Sequence, residues 1–88
     1  MGGDTMDFGI AIANLKSGLK VARAGWNGKG MWLVLITRDD WTLSEKYGPL
    51  VDGLVGPPWI GMKTADNSFV PWLASQTDVL AEDWVIVE

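Results

Sequence analysis

Two short segments of the chain are apolar at nearly every position, and they limit the fold more than any other feature. Residues 31–37 have the sequence MWLVLIT, and residues 84–87 have the sequence WVIV. Successive side chains of a β-strand point to opposite faces of the sheet, so a strand without polar alternation needs cover on both faces. We therefore expect both segments to be strands that are buried on their two faces.

One helix is predicted before the first of these segments. Apolar residues at helical spacing place it at residues 6–17, and Gly18 stands where a glycine normally ends a helix. Asp4 or Thr5 is expected to cap its N-terminus, because a short oxygen-bearing side chain there accepts a free backbone N–H.

The remaining strands are predicted from turn residues and Pro. Asn27-Gly28 predicts a tight hairpin, residues 64–68 predict a second hairpin turn, and Pro71 places its strand at a sheet edge. Residues 38–58 have weak patterning and are expected to form mostly a long loop. The predicted strands are residues 20–24, 31–37, 59–63, 69–72 and 84–87.

The predicted helices are too few for the predicted strands. Ser75 with Asp78 three residues later is a variant of the capping box, and it opens a second short helix that ends near residue 81. The fold class is therefore α+β: a small antiparallel sheet of about five strands with two short helices. Because two short helices cannot cover two strands that are apolar on both faces, we expect another copy to bury the rest, in a homo-oligomer.

The composition excludes several kinds of site and partner. The chain has no His and no Cys, so it cannot form a Cys/His zinc site, a disulfide or a Ser-His-Asp triad. Its net charge of −4 argues against DNA or RNA, and its longest apolar run of six residues is far below the ~20 of a membrane-spanning helix. We expect one cytoplasmic domain, residues 6–88, after an extension of residues 1–5, without cofactor, metal or membrane partner.

The acidic residues do not suggest catalysis. Asp39-Asp40 and Glu82-Asp83 are the adjacent carboxylate pairs. Neighbours in a strand point to opposite faces, so neither pair is arranged by sequence as an acid–base couple, and no activated nucleophile accompanies them. We expect the chain not to be an enzyme.

Six Trp residues in 88 are more than core packing requires, and Trp26 lies in the first of three candidate binding motifs. Trp26, Asn27 and Lys29 combine a flat ring, an amide and a cation among glycines that let backbone N–H groups approach a ligand. The alternative is a plain tight hairpin whose Trp packs in the core.

The second motif places four polar groups within one turn. Lys63, Thr64, Asp66 and Asn67 offer a cation, a hydroxyl, a carboxylate and an amide, which suit phosphate, ribose hydroxyls and a purine edge. The alternative is a solvated turn in which Asp and Asn bond their own backbone.

The third motif joins Trp72 to the predicted second helix. Free N–H groups at a helix N-terminus attract anions, but Asp78 in the first turn would repel a phosphate there. Ser75 and Asp78 are therefore better explained as caps, and a binding role for Asp78 would be to accept from a hydroxyl or an exocyclic amine.

Together these motifs resemble a known family, the Thoeris anti-defence protein 2 family of small phage proteins. Four blocks in the same order carry the resemblance, which leaves out residues 1–5 and 38–57. They are residues 22–33 (ARAGWNGKGMWL), 62–66 (MKTAD), 70–78 (VPWLASQTD) and 80–84 (LAEDW).

The resemblance implies a protein that binds a signal without altering it. Members bind the cyclic ADP-ribose variant made by TIR-domain immune enzymes and hold it away from its effector, in the cytoplasm of the infected bacterial host. They are homotetramers with pockets between protomers, and some also bind cyclic dinucleotides of the antiphage cyclase pathway. Composition and spacing by themselves establish none of this.

Ten residues are expected to line the pocket. The indoles of Trp26 and Trp72 are expected to stack on bases, and the amide of Asn27 or Asn67 to bond a base edge. Arg23, Lys29 and Lys63 are expected to neutralise the pyrophosphate, and Thr64, Asp66 and Asp78 to bond ribose hydroxyls. We assign Trp32, Trp84 and Ile86 to the core or an interface.

Two other classes of function stay open. An enzyme that hydrolyses the signal would return altered ligand after heat denaturation. A structural or protein-binding phage component would have no nucleotide affinity and would bind a protein partner instead.

Overall fold

A computed structural model gives the fold of the chain and describes residues 5–26, 30–37 and 57–88. Within them the chain forms two helices, one 3₁₀ turn and five strands. In chain order they are α1 (Phe8–Lys16), β1 (Lys20–Arg23), the 3₁₀ turn (Ala24–Trp26), β2 (Trp32–Ile36), β3 (Trp59–Lys63), β4 (Phe69–Pro71), α2 (Gln76–Val79) and β5 (Trp84–Val87).

The five strands form one antiparallel sheet in the order β4-β3-β2-β1-β5. Its register is fixed by pairs such as Val21 with Leu33, Arg23 with Trp84 and Leu33 with Met62. The α+β prediction, with five antiparallel strands and two short helices, is therefore confirmed over the described residues. Pro71 ends the edge strand β4, as predicted, because an edge position leaves its missing N–H without consequence.

Helix α1 begins and ends through local hydrogen bonds. Asp7 is the N-cap, since its Oδ1 accepts the N–H of Ile10 at 2.9 Å, so the prediction that Asp4 or Thr5 caps the helix is wrong. At the other end Gly18 has φ +91°, its N–H donates to Leu15, and the next N–H donates to the carbonyl of Asn14. This is a Schellman motif, and the predicted glycine stop is confirmed.

The core lies on one face of the sheet, which we call the covered face. Val21, Leu33 and Trp84 point to it and are 0% exposed, and α1 packs Ala11 and Leu15 against them. Burial of one large apolar side chain stabilises a fold by about 1.5–3 kcal/mol. These few residues therefore hold α1 onto β1, β2 and β5.

The opposite face of the sheet, which we call the second face, is also apolar. Alternation along the strands places Trp32, Val34 and Trp59 on it. The ring of Phe69 lies over Gly61, where a Cβ would collide with it. Neither α1 nor α2 contributes to a core there.

Burial on both faces, predicted for residues 31–37 and 84–87, is only partly observed. In β2 Leu33 is buried, whereas its neighbours are half-buried. In β5 Trp84 is buried, but Ile86 is 44% exposed because β5 is an edge strand. A single copy therefore leaves apolar strand surface in contact with water.

The connection between β1 and β2 is described up to Trp26. Val21 pairs with Leu33, and β1 runs into the 3₁₀ turn at Ala24. The predicted antiparallel pairing of the two strands is confirmed. Asn27 and Gly28 themselves lie outside the described residues, as do residues 38–56 of the predicted long loop.

Candidate functional site

Four aromatic rings meet on the covered face around Trp84, and we call them the indole cluster. The rings of Trp26 and Trp72 stand nearly perpendicular to that of Trp84, at centroid distances of 5.5 and 6.0 Å. Phe8 of α1 lies 5.4 Å from Trp84 and 5.9 Å from Trp72. Trp26 and Trp72 are half-buried, so both rings keep part of their surface available to a ligand.

Each indole of the cluster is held by a different element. Trp26 ends the 3₁₀ turn after β1. Trp72 follows β4, and its backbone N–H donates to the carbonyl of Ile60 at 2.9 Å. Trp84 opens β5, and its Nε1–H donates to the carbonyl of Asp78 at 3.0 Å. The cluster therefore depends on segments that are distant in sequence.

A charged group, which we call the Arg23 triad, lies beside the cluster. Arg23 donates from Nη1 to Oδ1 of Asp78 and from Nε to Oδ1 of Asp83, both at 2.8 Å. These bonds, the one to Asp83 first, raise the pKa of Arg23, and the bond from Arg23 holds the pKa of Asp83 below its usual value. Since two carboxylates face one cation, the triad carries a net negative charge.

Asp78 serves both the triad and the cap of α2. Its N–H donates to Oγ of Ser75 at 3.1 Å, and its Oδ2 accepts from the Ser75 hydroxyl at 3.0 Å. The predicted capping role of Ser75 is confirmed, although α2 ends at Val79 and not near residue 81. Both oxygens of Asp78 already have donors in the single copy.

The residues of the second motif bond mainly to each other. The Thr64 hydroxyl donates to Asp66, the N–H of Ser68 donates to Thr64 Oγ1 at 3.0 Å, and Asn67 has φ 70°. The hydroxyl of Thr64, before any other group, lowers the pKa of Asp66. Thr64 and Ser68 pair with each other, so the loop between them has three residues. The last of the three, Asn67, has the left-handed conformation, which Asn tolerates.

Lys63 differs from Arg23 because it is bonded to neutral groups. Its Nζ donates to the carbonyl of Gly30 at 2.8 Å, and no carboxylate of the described residues lies within ion-pair distance. In the register Lys63 pairs with Trp32, so it stands on the second face, whereas Trp84 and Arg23 stand on the covered face.

The candidate residues are therefore brought together in part. Trp26, Trp72, Arg23 and Asp78 converge on the indole cluster. The second group lies at the β3–β4 hairpin and contains Lys63, Thr64, Asp66 and Asn67. Asn27 and Lys29 lie outside the described residues.

Comparison with known proteins assigns the chain to a family. A model of the Thoeris anti-defense 2-like domain matches residues 6–87. The chain belongs to the Thoeris anti-defense 2-like family. It is also 46% identical over 86 residues to a protein named Thoeris anti-defense 2 from Bacillus phage SP01, with 93% of this chain and 94% of that protein covered. The resemblance found in the sequence motifs is confirmed, and the chain is a phage anti-defense protein.

This member of the Thoeris anti-defense 2-like family has one site residue that sequence reasoning missed. The sequence shows Asp83 only as half of the adjacent pair Glu82-Asp83, yet its carboxylate accepts hydrogen bonds from Arg23 and from the backbone N–H of Gly25. The signal was the pairing of β1 with β5, which places Asp83 next to the end of β1. Trp84, assigned to the core or an interface, is at the centre of the indole cluster.

Two further features of this family member bear on its chemistry. In residues 5–26, 30–37 and 57–88 no three acidic side chains are grouped closely enough to hold a metal ion. Over the same residues neither helix has the length and apolar content to cross a membrane.

Proposed function

We propose that the chain binds a cyclic ADP-ribose-type nucleotide made by TIR-domain immune enzymes and holds it without cleaving it. The bound signal is then unavailable to the Thoeris effector in the cytoplasm of the infected host. Membership of an anti-defense family supports the pathway. The observation that supports a nucleotide as the ligand is the pair of half-buried rings, Trp26 and Trp72, which pack against Trp84.

The affinity required of such a protein exceeds what stacking supplies. Holding a ligand below micromolar concentration requires a binding free energy stronger than about −8 kcal/mol. Stacking of a base on an aromatic ring contributes about 1–3 kcal/mol, so Trp26 and Trp72 together fall short. Polar contacts to the phosphates and ribose hydroxyls must supply the rest.

The two cations of the described site are unequal candidates for the phosphate contact. Arg23 is already paired with two carboxylates, and the net negative charge of the triad would repel a phosphate. Lys63 is bonded to carbonyl groups, so its charge remains available. We therefore assign the phosphate to Lys63. We assign to Asp78 of the triad the ribose hydroxyls, which donate hydrogen bonds.

We also propose that the pocket is completed by a second copy within a homotetramer. Lys63 and Trp84 stand on opposite faces of the sheet, and a contact between copies would bring such groups to one ligand. The apolar second face supports association. So does Trp59, whose Nε1–H is buried and has no acceptor among the described residues.

Calorimetry with purified wild-type chain tests the proposal. The panel contains cyclic ADP-ribose isomers and cyclic dinucleotides, and we expect submicromolar binding of one cyclic ADP-ribose isomer, recovered unaltered after heat denaturation. Light scattering is expected to give a tetramer. Binding of cyclic dinucleotides alone, altered ligand, or a monomer that binds nothing would contradict the proposal.

Two variants with matched controls test the assigned contacts. Trp72→Ala is expected to weaken binding about tenfold, the loss of one stacked base, whereas Leu73→Ala leaves it unchanged because Leu73 is 91% exposed. Lys63→Ala is expected to weaken binding by a similar factor, whereas Lys16→Ala, at the end of α1, does not. The thermal unfolding midpoint of each variant checks that it is folded.

A further inference from the structure

Asp83 fastens the end of β1 through three hydrogen bonds. Its backbone carbonyl accepts the N–H of Ala24 at 2.9 Å. Its Oδ1 accepts from Arg23 Nε and its Oδ2 from the N–H of Gly25, each at 2.8 Å. One residue thus satisfies donors from three consecutive positions of the 3₁₀ turn and the strand before it.

The close approach of the carboxylate depends on Gly25. A Cβ at this position would lie 3.0 Å from Asp83 Oδ2, a crowded contact that would displace the carboxylate. Gly25 does not have a positive φ, so its backbone alone does not require glycine. The missing side chain at Gly25 therefore leaves room for Asp83.

The turn that Asp83 fastens ends in a ring of the indole cluster. Trp26 is the last residue of the 3₁₀ turn, and its ring packs 5.5 Å from that of Trp84, the neighbour of Asp83 in sequence. The carboxylate of Asp83 thus fixes the backbone before Trp26, and Trp84, the residue after Asp83, supplies the ring against which Trp26 packs.

We propose that Asp83 is a positioning residue for the ligand, because it holds Trp26 in the orientation that stacks on a base. This inference rests on the proposed function, since it concerns the same pocket. Asp83 acts through Trp26 and needs no contact with the nucleotide. The lowered pKa of Asp83 agrees with this, because the carboxylate stays charged and accepting at neutral pH.

Binding of the panel nucleotide that the wild-type chain binds most tightly tests the role of Asp83. Asp83→Ala is expected to weaken binding about tenfold, the effect of one hydrogen bond to a charged group. Asp83→Asn is expected to lose less, because its amide oxygen still accepts one of the two donors. Glu82→Gln is the matched control: it changes the exposed neighbouring acid and leaves affinity unchanged.

Fluorine NMR of chain labelled with 5-fluorotryptophan separates positioning from a general loss of stability. The Trp26 signal is assigned by its absence in Trp26→Phe. We expect Asp83→Ala to shift this signal and to leave that of Trp59 in place, since Trp59 lies on β3. Gly25→Ala displaces the carboxylate without removing it, so it is expected to shift the Trp26 signal and weaken binding in the same direction.

The outcomes distinguish this inference from the proposed function. If the wild-type chain binds and Asp83→Ala binds equally well, the positioning role is wrong and the proposed function stands. If affinity falls but the Trp26 signal does not move, Asp83 does not act through Trp26. If the wild-type chain binds no nucleotide, the proposed function fails, and the ligand role of Asp83 fails with it.

Discussion

The two ends of the candidate site are stabilised in different ways. At the Trp84 end, where β1 meets β5, hydrogen bonds join residues 55 to 60 positions apart and the central ring is fully buried. At the β3–β4 hairpin, Thr64 bonds to residues two and four positions away, and Phe69 is 47% exposed. The first region depends on the whole fold, whereas the second depends on its own turn.

This difference separates rigidity from accessibility. The Trp84 end holds two ring faces in a fixed arrangement, but its cation is occupied by carboxylates. The hairpin presents a cation bonded to carbonyl groups, but on a locally stabilised element. In the proposed pocket the first region would supply the shape and the second the charge.

The largest expected effect is on stability at the two aromatic positions. Trp84→Ala removes a fully buried ring, and we expect it to lower the free energy of unfolding by about 3–5 kcal/mol. Phe69→Ala removes a half-exposed ring from the second face, and about 1 kcal/mol is expected. Urea unfolding monitored by circular dichroism measures both.

Equal losses of stability in Trp84→Ala and Phe69→Ala would contradict the difference in burial between the two rings. If Phe69→Ala were as destabilising as Trp84→Ala, then Phe69 would be buried in the protein as it exists in solution. Dilution then decides the cause: a loss that disappears at low protein concentration assigns the burial of Phe69 to contact between copies.

Acid titration compares the two carboxyl groups whose pKa is lowered. A carboxyl with a folded pKa below its usual value stabilises the fold above about pH 4, and this stabilisation is lost as pH falls through the folded pKa. Asp83 is bonded to Arg23, whereas Asp66 is fully exposed and bonded to Thr64. We expect Asp83 to contribute more of the loss of stability in acid.

The corresponding asparagine variants measure the difference. Asp83→Asn is expected to lower the free energy of unfolding at pH 7 by about 1.5 kcal/mol and to flatten its fall between pH 5 and pH 3. Asp66→Asn is expected to leave the fall in stability between pH 5 and pH 3 nearly unchanged. If that fall became shallower in Asp66→Asn and not in Asp83→Asn, Asp66 would be the carboxyl group that contributes more to the loss of stability in acid.

Sequence predicted the hairpin better than the Trp84 end because the determinants of a hairpin are local. The strand at residues 59–63, the turn at 64–68 and the edge position of Pro71 all follow from neighbours in sequence. The β1–β2 connection was predicted as a tight turn from Asn27-Gly28. The described part of this connection is bonded to Asp83, a contact between β1 and β5 that local spacing does not reveal.

The same reason explains what sequence revealed of the site. The family resemblance predicts stacking roles for Trp26 and Trp72, and the structure brings both rings to Trp84. The occupation of Arg23 by Asp78 and Asp83 was not predictable from spacing, since it needs the β1–β5 register and the position of α2. Residue type indicates the available chemistry, and the distant contacts determine which charges remain free.

The smallest expected effect concerns two left-handed positions, one at the end of α1 and one in the hairpin turn. Gly18 ends α1 with φ +91° and open space around it, and Asn67 lies in the hairpin turn with φ 70°. Gly18→Ala is expected to lower the free energy of unfolding by about 1 kcal/mol, and Gly18→Asn by less, because Asn tolerates this conformation. Asn67→Gly is expected to change it by only a few tenths of a kcal/mol.

Thermal unfolding of these variants tests whether the two left-handed positions obey the same steric rule. A left-handed φ has the same steric cause in both, so Gly18 and Asn67 should obey one rule although their surroundings differ. If Gly18→Asn were as harmful as Gly18→Ala, the backbone would not be the reason for glycine. The end of α1 would then be set by distant contacts, as the Trp84 end is.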